Sequence, residues 1–361
     1  MVVSYAAEFT LGIYTSPNLL NWTHASNFSR HGLLGIQYEC PNLVEMPVRS
    51  SSSTANATDS TMWLMYISIN PGAPLGGSIG QYFPGTFNGT HFTAADPVAR
   101  IDDFAKDNYA AQFFSGIPAS EDQLSVGWAS NWQYTNFAPS GPAEGWASAM
   151  TVPRRNHLES LPGVGWTLVQ APLGIEAQFA AELAYNSSLN NGTILLDYSG
   201  VESRAVYFEA NVTGLTPSTL AGTLNFTFSS SVSGEMVQGG TTVGGTTWLS
   251  RQHTRGLADH PYFTDKFSTD NVYSGSQNGT WTLSGIVDRS IIELFVNGGQ
   301  GRGTMIFYPS RPLDTLWIGA AGISGDATVS VGVWGLKDAW AEQENANGTV
   351  VGNVTTMARS M

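Results

Sequence analysis

Apolar and aromatic positions fall along the chain in short runs. Those at 62–69, 124–129, 146–152, 193–198, 205–209, 224–228, 280–287, 291–296, 304–308 and 328–334 are each of strand length and rich in β-formers. Gly, Pro, Asn and Ser separate them, the pattern of short strands joined by turns. Apolar repeats at helical spacing are nearly absent, and a single turn of helix is expected, at 338–344. The pattern predicts an all-β chain. Its first residues fit: Phe9, Leu11, Ile13 and Tyr14 lead into a turn at Ser16-Pro17-Asn18. That start has no basic region and carries an acid at Glu8, so it reads as the interior of a strand and not as a signal peptide. The expectation is that the chain begins partway into a domain.

Two textures divide the chain. Residues 1–175 are Trp-rich, with long polar loops and Pro/Gly stretches such as Asn70-Pro71-Gly72-Ala73-Pro74. Short strands with aromatic signatures suggest propeller blades there. Residues 176–341 alternate more regularly, as a β-sandwich does. The join near 160–178 is punctuated by Pro and Gly. The low-complexity segment 49–61 is expected to be an exposed loop, and 342–361 a loose tail with few apolar anchors.

Composition narrows the function. The 361 residues suffice for two β domains with a full core, and only 12% are charged, which excludes a charge-rich disordered chain. The net charge of -13 repels phosphate backbones, so no nucleic-acid partner is expected. No apolar run approaches the ~18 residues of a membrane-spanning helix, and no membrane partner is expected. Cys40 is the only cysteine, and the six histidines form neither an H-x-x-x-H pair nor an H-E-x-x-H motif. With no phosphate-binding or dinucleotide fingerprint either, neither metal nor cofactor is expected. A lone cysteine leans towards the cytosol, but glycosylation sequons argue the other way. They begin at Asn21, Asn27, Asn56, Asn88, Asn186, Asn191, Asn211, Asn225, Asn278, Asn347 and Asn353, where the Ser/Thr content predicts roughly 4 by chance. A secreted glycoprotein is the expectation.

Three clusters carry candidate chemistry. In Tyr38-Glu39-Cys40-Pro41, followed by Leu43-Val44-Glu45-Met46-Pro47, a Glu sits in an otherwise apolar neighbourhood. Burial there raises a carboxyl pKa, as a general acid requires, although a Glu in a strand is more often a rim residue. Residues 102–112 gather Asp102, Asp103, Lys106, Asp107, Asn108, Tyr109 and Gln112, which are suited to sugar hydroxyls, although such a cluster is more often a solvated turn. Residues 127–134 hold Trp128, Asn131, Trp132, Gln133 and Tyr134, a stacking platform for a sugar ring or a core Trp pair. Gly76-Gly77-Ser78-Ile79-Gly80 matches a nucleophile-elbow pattern, but it lacks the strand before and the helix after that the elbow needs.

At these residues the chain resembles glycoside hydrolase family 32, in particular fungal and yeast invertases, inulinases and fructosyltransferases. The resemblance rests on YECPNLVEMPV, MYISINPGAP, GGSIGQYFPGTFNGTHF, DDFAKDNYAAQ, VGWASNWQY and the segment Gly145–Arg154, then on Pro261-Tyr262-Phe263-Thr264 and VDRSIIELFVNGG. These keep the family's order from about residue 5 to 335. The resemblance implies a five-bladed β-propeller followed by a β-sandwich, and retaining chemistry on β-fructofuranosides, either sucrose or fructo-oligosaccharides. It implies that Glu39 is the general acid/base. It also implies that Asp103 and Lys106 shape recognition of the leaving or acceptor sugar, that Asn70 lines the same side, and that Asp107, Trp128 and Asn131 form pocket walls. Asp288 and Glu293 are read as structural.

Departures from the family pattern qualify this. The W-M-N-D-P-N-G motif that carries the nucleophilic Asp is absent, as is the R-D-P motif; Asp96-Pro97 follows Ala95 and lies beyond Glu39. The chain is therefore expected to lack the first blade and part of the second, and to be inactive alone. The alternative is a degenerate or non-catalytic carbohydrate-binding protein. A homodimer through the sandwich stays open, as does hydrolysis against transfer.

Overall fold

The computed structural model describes residues 1–49, 60–216, 220–270 and 279–338. Residues 50–59 of the expected loop, 339–344 of the expected helix and the 342–361 tail lie outside the described residues. Within them the chain is built from strands in four sheets, with one short helix, Ser140–Glu144, and a few single 3-10 turns.

The first sheet is an antiparallel trio, Val2–Tyr5, Thr10–Thr15 and Thr23–Ser29. The turn expected at Ser16-Pro17-Asn18 is closed by Asn18, whose Oδ1 accepts the N–H groups of Leu20 and Asn21 at 3.0 and 2.9 Å. A short amide side chain substitutes for the backbone there.

The second sheet joins two antiparallel runs of four strands. One comprises Tyr38–Arg49, Thr61–Ile69, Ile79–Phe87 and Phe92–Ala94; the other Tyr109–Phe113, Gln123–Ala129, Arg154–Leu161 and Gly165–Pro172. They meet where Val48 and Arg49 pair in parallel with Leu158 and Glu159. The run at 146–152, expected as a whole strand, contributes only Ala149–Met150. Gly145 and Ser148 hold φ values of 84° and 75°, and left-handed backbone cannot continue an extended strand.

The C-terminal half is a sandwich of two six-stranded antiparallel sheets. Alternation decides which side faces in. In Ala205–Thr213, Val206, Phe208, Ala210 and Val212 are buried; in Thr223–Ser229 of the opposite sheet, Leu224, Phe226 and Phe228 are buried. The Phe208 ring lies 4.8 Å from that of Phe226 and 5.8 Å from that of Phe228, so the two inner faces meet in one core. Each such aromatic contributes roughly 1.5–3 kcal/mol of burial. Gly239 sits across the ladder from Phe226 because a Cβ there would come within 2.3 Å of the ring.

A polar belt fastens the two halves. The loop 102–107 lies along the sandwich strand Gly301–Ile306, with the N–H groups of Phe104 and Asp107 donating to the carbonyls of Arg302 and Thr304 at 3.0 and 3.1 Å. Three buried ion pairs cross the same seam: Arg302–Asp102 at 2.9 Å, Arg154–Glu293 at 2.7 Å and Arg251–Asp107 at 2.7 Å.

Candidate active site

Glu39 lies near the start of the strand Tyr38–Arg49, where the pairing with Thr61–Ile69 slips between Glu39 and Asn42. Cys40 takes up the slip with φ 47°, a left-handed backbone that a side chain rarely adopts. Such a bulge re-aims the neighbouring side chain. The facing strand Tyr109–Phe113 carries a matching irregularity: Ala110 has φ 51°, and its pairing with Gln123–Ala129 shifts between Val126 and Trp128. Asn42 joins the two bulged strands. Its Nδ2 donates to the Ala111 carbonyl at 3.1 Å, and its Oδ1 accepts the Phe113 N–H at 3.2 Å.

The result is a carboxylate gripped from both sides. The Tyr109 hydroxyl donates to Glu39 Oε2 and the Gln37 amide to Oε1. Burial, and then the accepting Glu39, push the Tyr109 hydroxyl pKa up, so it holds its proton and stays a donor. Burial, and then the Glu39 charge, also push the Cys40 thiol up, which keeps it neutral and not a nucleophile. Directly across the ladder from Glu39, the buried Ser68 hydroxyl has no partner among the described residues. Glu39 itself is half-buried.

Two of the other expected site residues reach this end. Asn70 follows directly on Ile69, the partner of Tyr38, and is half-buried. Trp128 packs edge-on against Tyr109 at 6.3 Å and leans on Trp132 at 5.1 Å, and its indole N–H donates to Ser148. Trp132 is 49% exposed, so the indole pair offers an open apolar face beside the carboxylate.

The other four make their hydrogen bonds elsewhere. Asp103 accepts from the N–H and hydroxyl of Thr304, at 2.9 and 2.7 Å, and from the Ala105 N–H at 2.8 Å. Asp107 accepts from Tyr134, Arg251 and the Ile306 N–H. Lys106 donates to the Tyr262 carbonyl at 2.7 Å, and burial lowers its pKa to about 8. Asn131 is fully buried, its amide spread over the carbonyls of Gly76, Ser78 and Lys106. Among the described residues none of the four bonds Glu39, Gln37 or Tyr109. Their polar atoms are already taken by the seam between the halves and by the loops behind it.

Gln37 and Tyr109, the two residues that hold Glu39, are not singled out by the sequence. Tyr109 stands in the 102–112 cluster, but nothing in its spacing says that it alone of that group faces Glu39. Ser78, the serine of the elbow-like pattern, is fully buried and its Oγ accepts the Trp132 N–H at 3.3 Å.

Comparison with known proteins gives this geometry its context. The N-terminal domain of glycosyl hydrolases family 32 matches residues 1–172, and the family's C-terminal domain matches residues 173–335. An extracellular exo-inulinase of Meyerozyma guilliermondii is 35% identical over 327 residues, covering 85% of this chain and 59% of its own length. An invertase of Schizosaccharomyces pombe is 34% identical over 357 residues, covering 94% and 58%. The chain thus spans less than two thirds of these curated relatives. Among solved structures, a β-fructofuranosidase from Schwanniomyces occidentalis complexed with fructosyl-erythritol superposes with a TM-score of 0.78 at 29% identity, covering 93% of this chain and 67% of that one. An exo-inulinase from Aspergillus awamori gives 0.79 at 27%, covering 94% and 64%. With both domains matched in order and relatives 34–35% identical over most of its length, the chain belongs to glycosyl hydrolase family 32.

Proposed function

We propose that the protein acts on β-fructofuranosides, sucrose or fructo-oligosaccharides, with Glu39 as the general acid/base. One observation carries this reading: Glu39 is held by Gln37 and Tyr109 on a bulge, half-open, beside the Trp128–Trp132 face. In the retaining route a nucleophilic carboxylate bonds to the anomeric carbon while Glu39 gives its proton to the departing oxygen. Glu39 then takes a proton from water, or from an acceptor sugar, as that oxygen displaces the carboxylate. The second carboxylate must stand about 5–5.5 Å from the first. The W-M-N-D-P-N-G and R-D-P motifs are absent from the 361 residues. We therefore assign the nucleophile to chain outside this sequence, and propose that the 361 residues alone do not turn over substrate. The three-stranded sheet and the two four-stranded runs are read as blades of a five-bladed propeller, incomplete here.

Secretion is part of the same proposal. It is supported by the name of the extracellular relative and by the sequon asparagines: Asn21, Asn27, Asn88 and Asn191 are exposed, and Asn186, Asn211 and Asn225 are half-buried. The other four lie outside the described residues. A second reading, a carbohydrate-binding protein without turnover, is favoured by the missing nucleophile motif.

The test compares the 361-residue chain with a longer in-frame product of the same gene on sucrose. The longer product is expected to release glucose and fructose. In it, Glu39→Gln is expected to lower kcat on sucrose by about 10²–10⁴, and by much less on an aryl fructoside whose leaving group needs no proton. Full sucrose activity in that variant overturns the role of Glu39. Calorimetric binding of sucrose with no turnover in either form supports the second reading.

A further inference from the structure

One end of the sandwich holds a pocket of about 500 Å³ that the chemistry at Glu39 does not use. Tyr198, which follows the strand Thr193–Asp197 of one sheet, lies at its floor. Arg204, just before the strand Ala205–Thr213, and Arg289, in the turn after Trp281–Asp288, come from the other sheet. Arg311 enters from the segment that crosses between the two sheets, from Gly301–Ile306 to Thr315–Ala321. The ladder explains the convergence: Ala205 pairs with Asp288, so Arg204 and Arg289 stand side by side at the rim.

Three features make this more than a polar edge. The chain has 15 Lys and Arg against 28 Asp and Glu, yet three arginines face one cavity whose only lining acid among the described residues is Glu202. Arg49, Arg100, Arg154, Arg251 and Arg302 are each held in an ion pair, whereas among the described residues Arg204, Arg289 and Arg311 are in none. Asp314, behind the floor, has its oxygens engaged by Ser231 and Thr315. The second feature is Tyr198: it is 2% exposed, and its hydroxyl has no hydrogen-bond partner among the described residues. A buried, unpaired hydroxyl is costly, and a ligand oxygen would supply its missing partner. Burial, and then the Asp314 charge, push its pKa up, so it is a donor at any ordinary pH. Third, Arg289 lies against Trp146, its guanidinium carbon 5.6 Å from the ring centroid, and Trp146 is 46% exposed. The rim thus joins cationic forks to an aromatic face.

We propose that this pocket binds an oxyanion, the phosphate, sulfate or carboxylate group of a small organic ligand, at a site separate from Glu39. Planar guanidinium forks match such groups with paired N–H donors, and Tyr198 supplies a neutral donor from below. The cavity is larger than a bare anion fills, so its walls have room for a sugar-sized body carrying the charge.

The test is calorimetric titration of the full chain at about 0.01 M ionic strength, where screening is weak. The probes are inorganic phosphate, glucose 6-phosphate and glucuronate, with glucose as the neutral control. Binding of the charged probes with a Kd near 1 mM or tighter is expected (about -4 kcal/mol), with none for glucose. Arg204→Gln and Arg311→Gln, both at exposed positions, are each expected to weaken it about tenfold. Tyr198→Phe removes only the hydroxyl; it is expected to weaken binding about three- to tenfold without lowering the Tm. Glucose 6-phosphate binding more tightly than phosphate supports a sugar-borne anion, and equal binding supports the bare anion at the same site. No heat from any anion, or binding that all three variants leave unchanged, overturns the proposal.

Discussion

Two groups of acids in the N-terminal half stand in similar sequence surroundings and behave in opposite ways. Asp102, Asp103 and Asp107 are fully buried on the seam, each meeting an arginine, a threonine or backbone N–H groups of the sandwich. Glu39 is half-buried, held by two neutral donors on a strand bent through left-handed backbone, and it meets no cation among the described residues. The seam carboxylates have spent their hydrogen-bonding capacity on structure. Glu39 keeps a route to solvent and a local geometry that only the surrounding ladder sustains. The number of hydrogen-bond partners, not the density of polar residues nearby, separates Glu39 from the seam carboxylates.

The sharpest way to break that contrast is to remove one partner of a seam pair. Arg251→Met strands Asp107 in a site where both side chains are wholly buried, and should cost about 3–5 kcal/mol in a urea unfolding titration. A loss under about 1 kcal/mol would mean that the seam is not what joins the halves. Glu39→Gln should do the reverse: stability within about 1 kcal/mol of the parent, alongside the loss of turnover set out above.

A smaller effect separates the seam acids from one another. Burial raises the Asp103 pKa from 3.8 to about 7, outweighing Arg154 and the bonds from Thr304 and Ala105, which lower it. The folded state therefore holds a proton that the unfolded chain releases near pH 4. This contribution to stability is fully present below that pH and is lost as pH rises through about 7. Asp103→Asn should flatten this part of the stability profile, read as Tm against pH. An unchanged slope would assign the dependence to another group. The smallest effect belongs to Gln37→Ala, which frees one oxygen of Glu39. In an active form it should lower kcat about three- to tenfold and shift the acid limb of the pH profile, with stability changed by no more than about 0.5 kcal/mol. A KM change alone would make Gln37 a binding contact and not a positioning residue.

The strands were legible because their apolar residues alternate, as in Thr223–Ser229 and Ala205–Thr213, where a one-residue slip would turn the whole face outward. The strand expected at 146–152 failed because Ser148 takes a left-handed conformation that its residue type does not announce. Glu39 stood out as a candidate because its motif is local. The fates of Asp103, Lys106, Asp107 and Asn131 were not, since their partners Thr304, Tyr262, Arg251 and Gly76 come from distant stretches of chain.

The sequence by itself determined an all-β chain in two textures, the family to which it belongs, and Glu39 as the candidate acid, because alternation and contiguous motifs are properties of neighbours along the chain. Only the tertiary structure decided which polar residues lock the seam, and it alone brought Tyr109 and Gln37 to Glu39 and three arginines to one pocket. Those outcomes depend on which donors and acceptors the fold sets within hydrogen-bonding reach, and most of them join residues far apart in sequence.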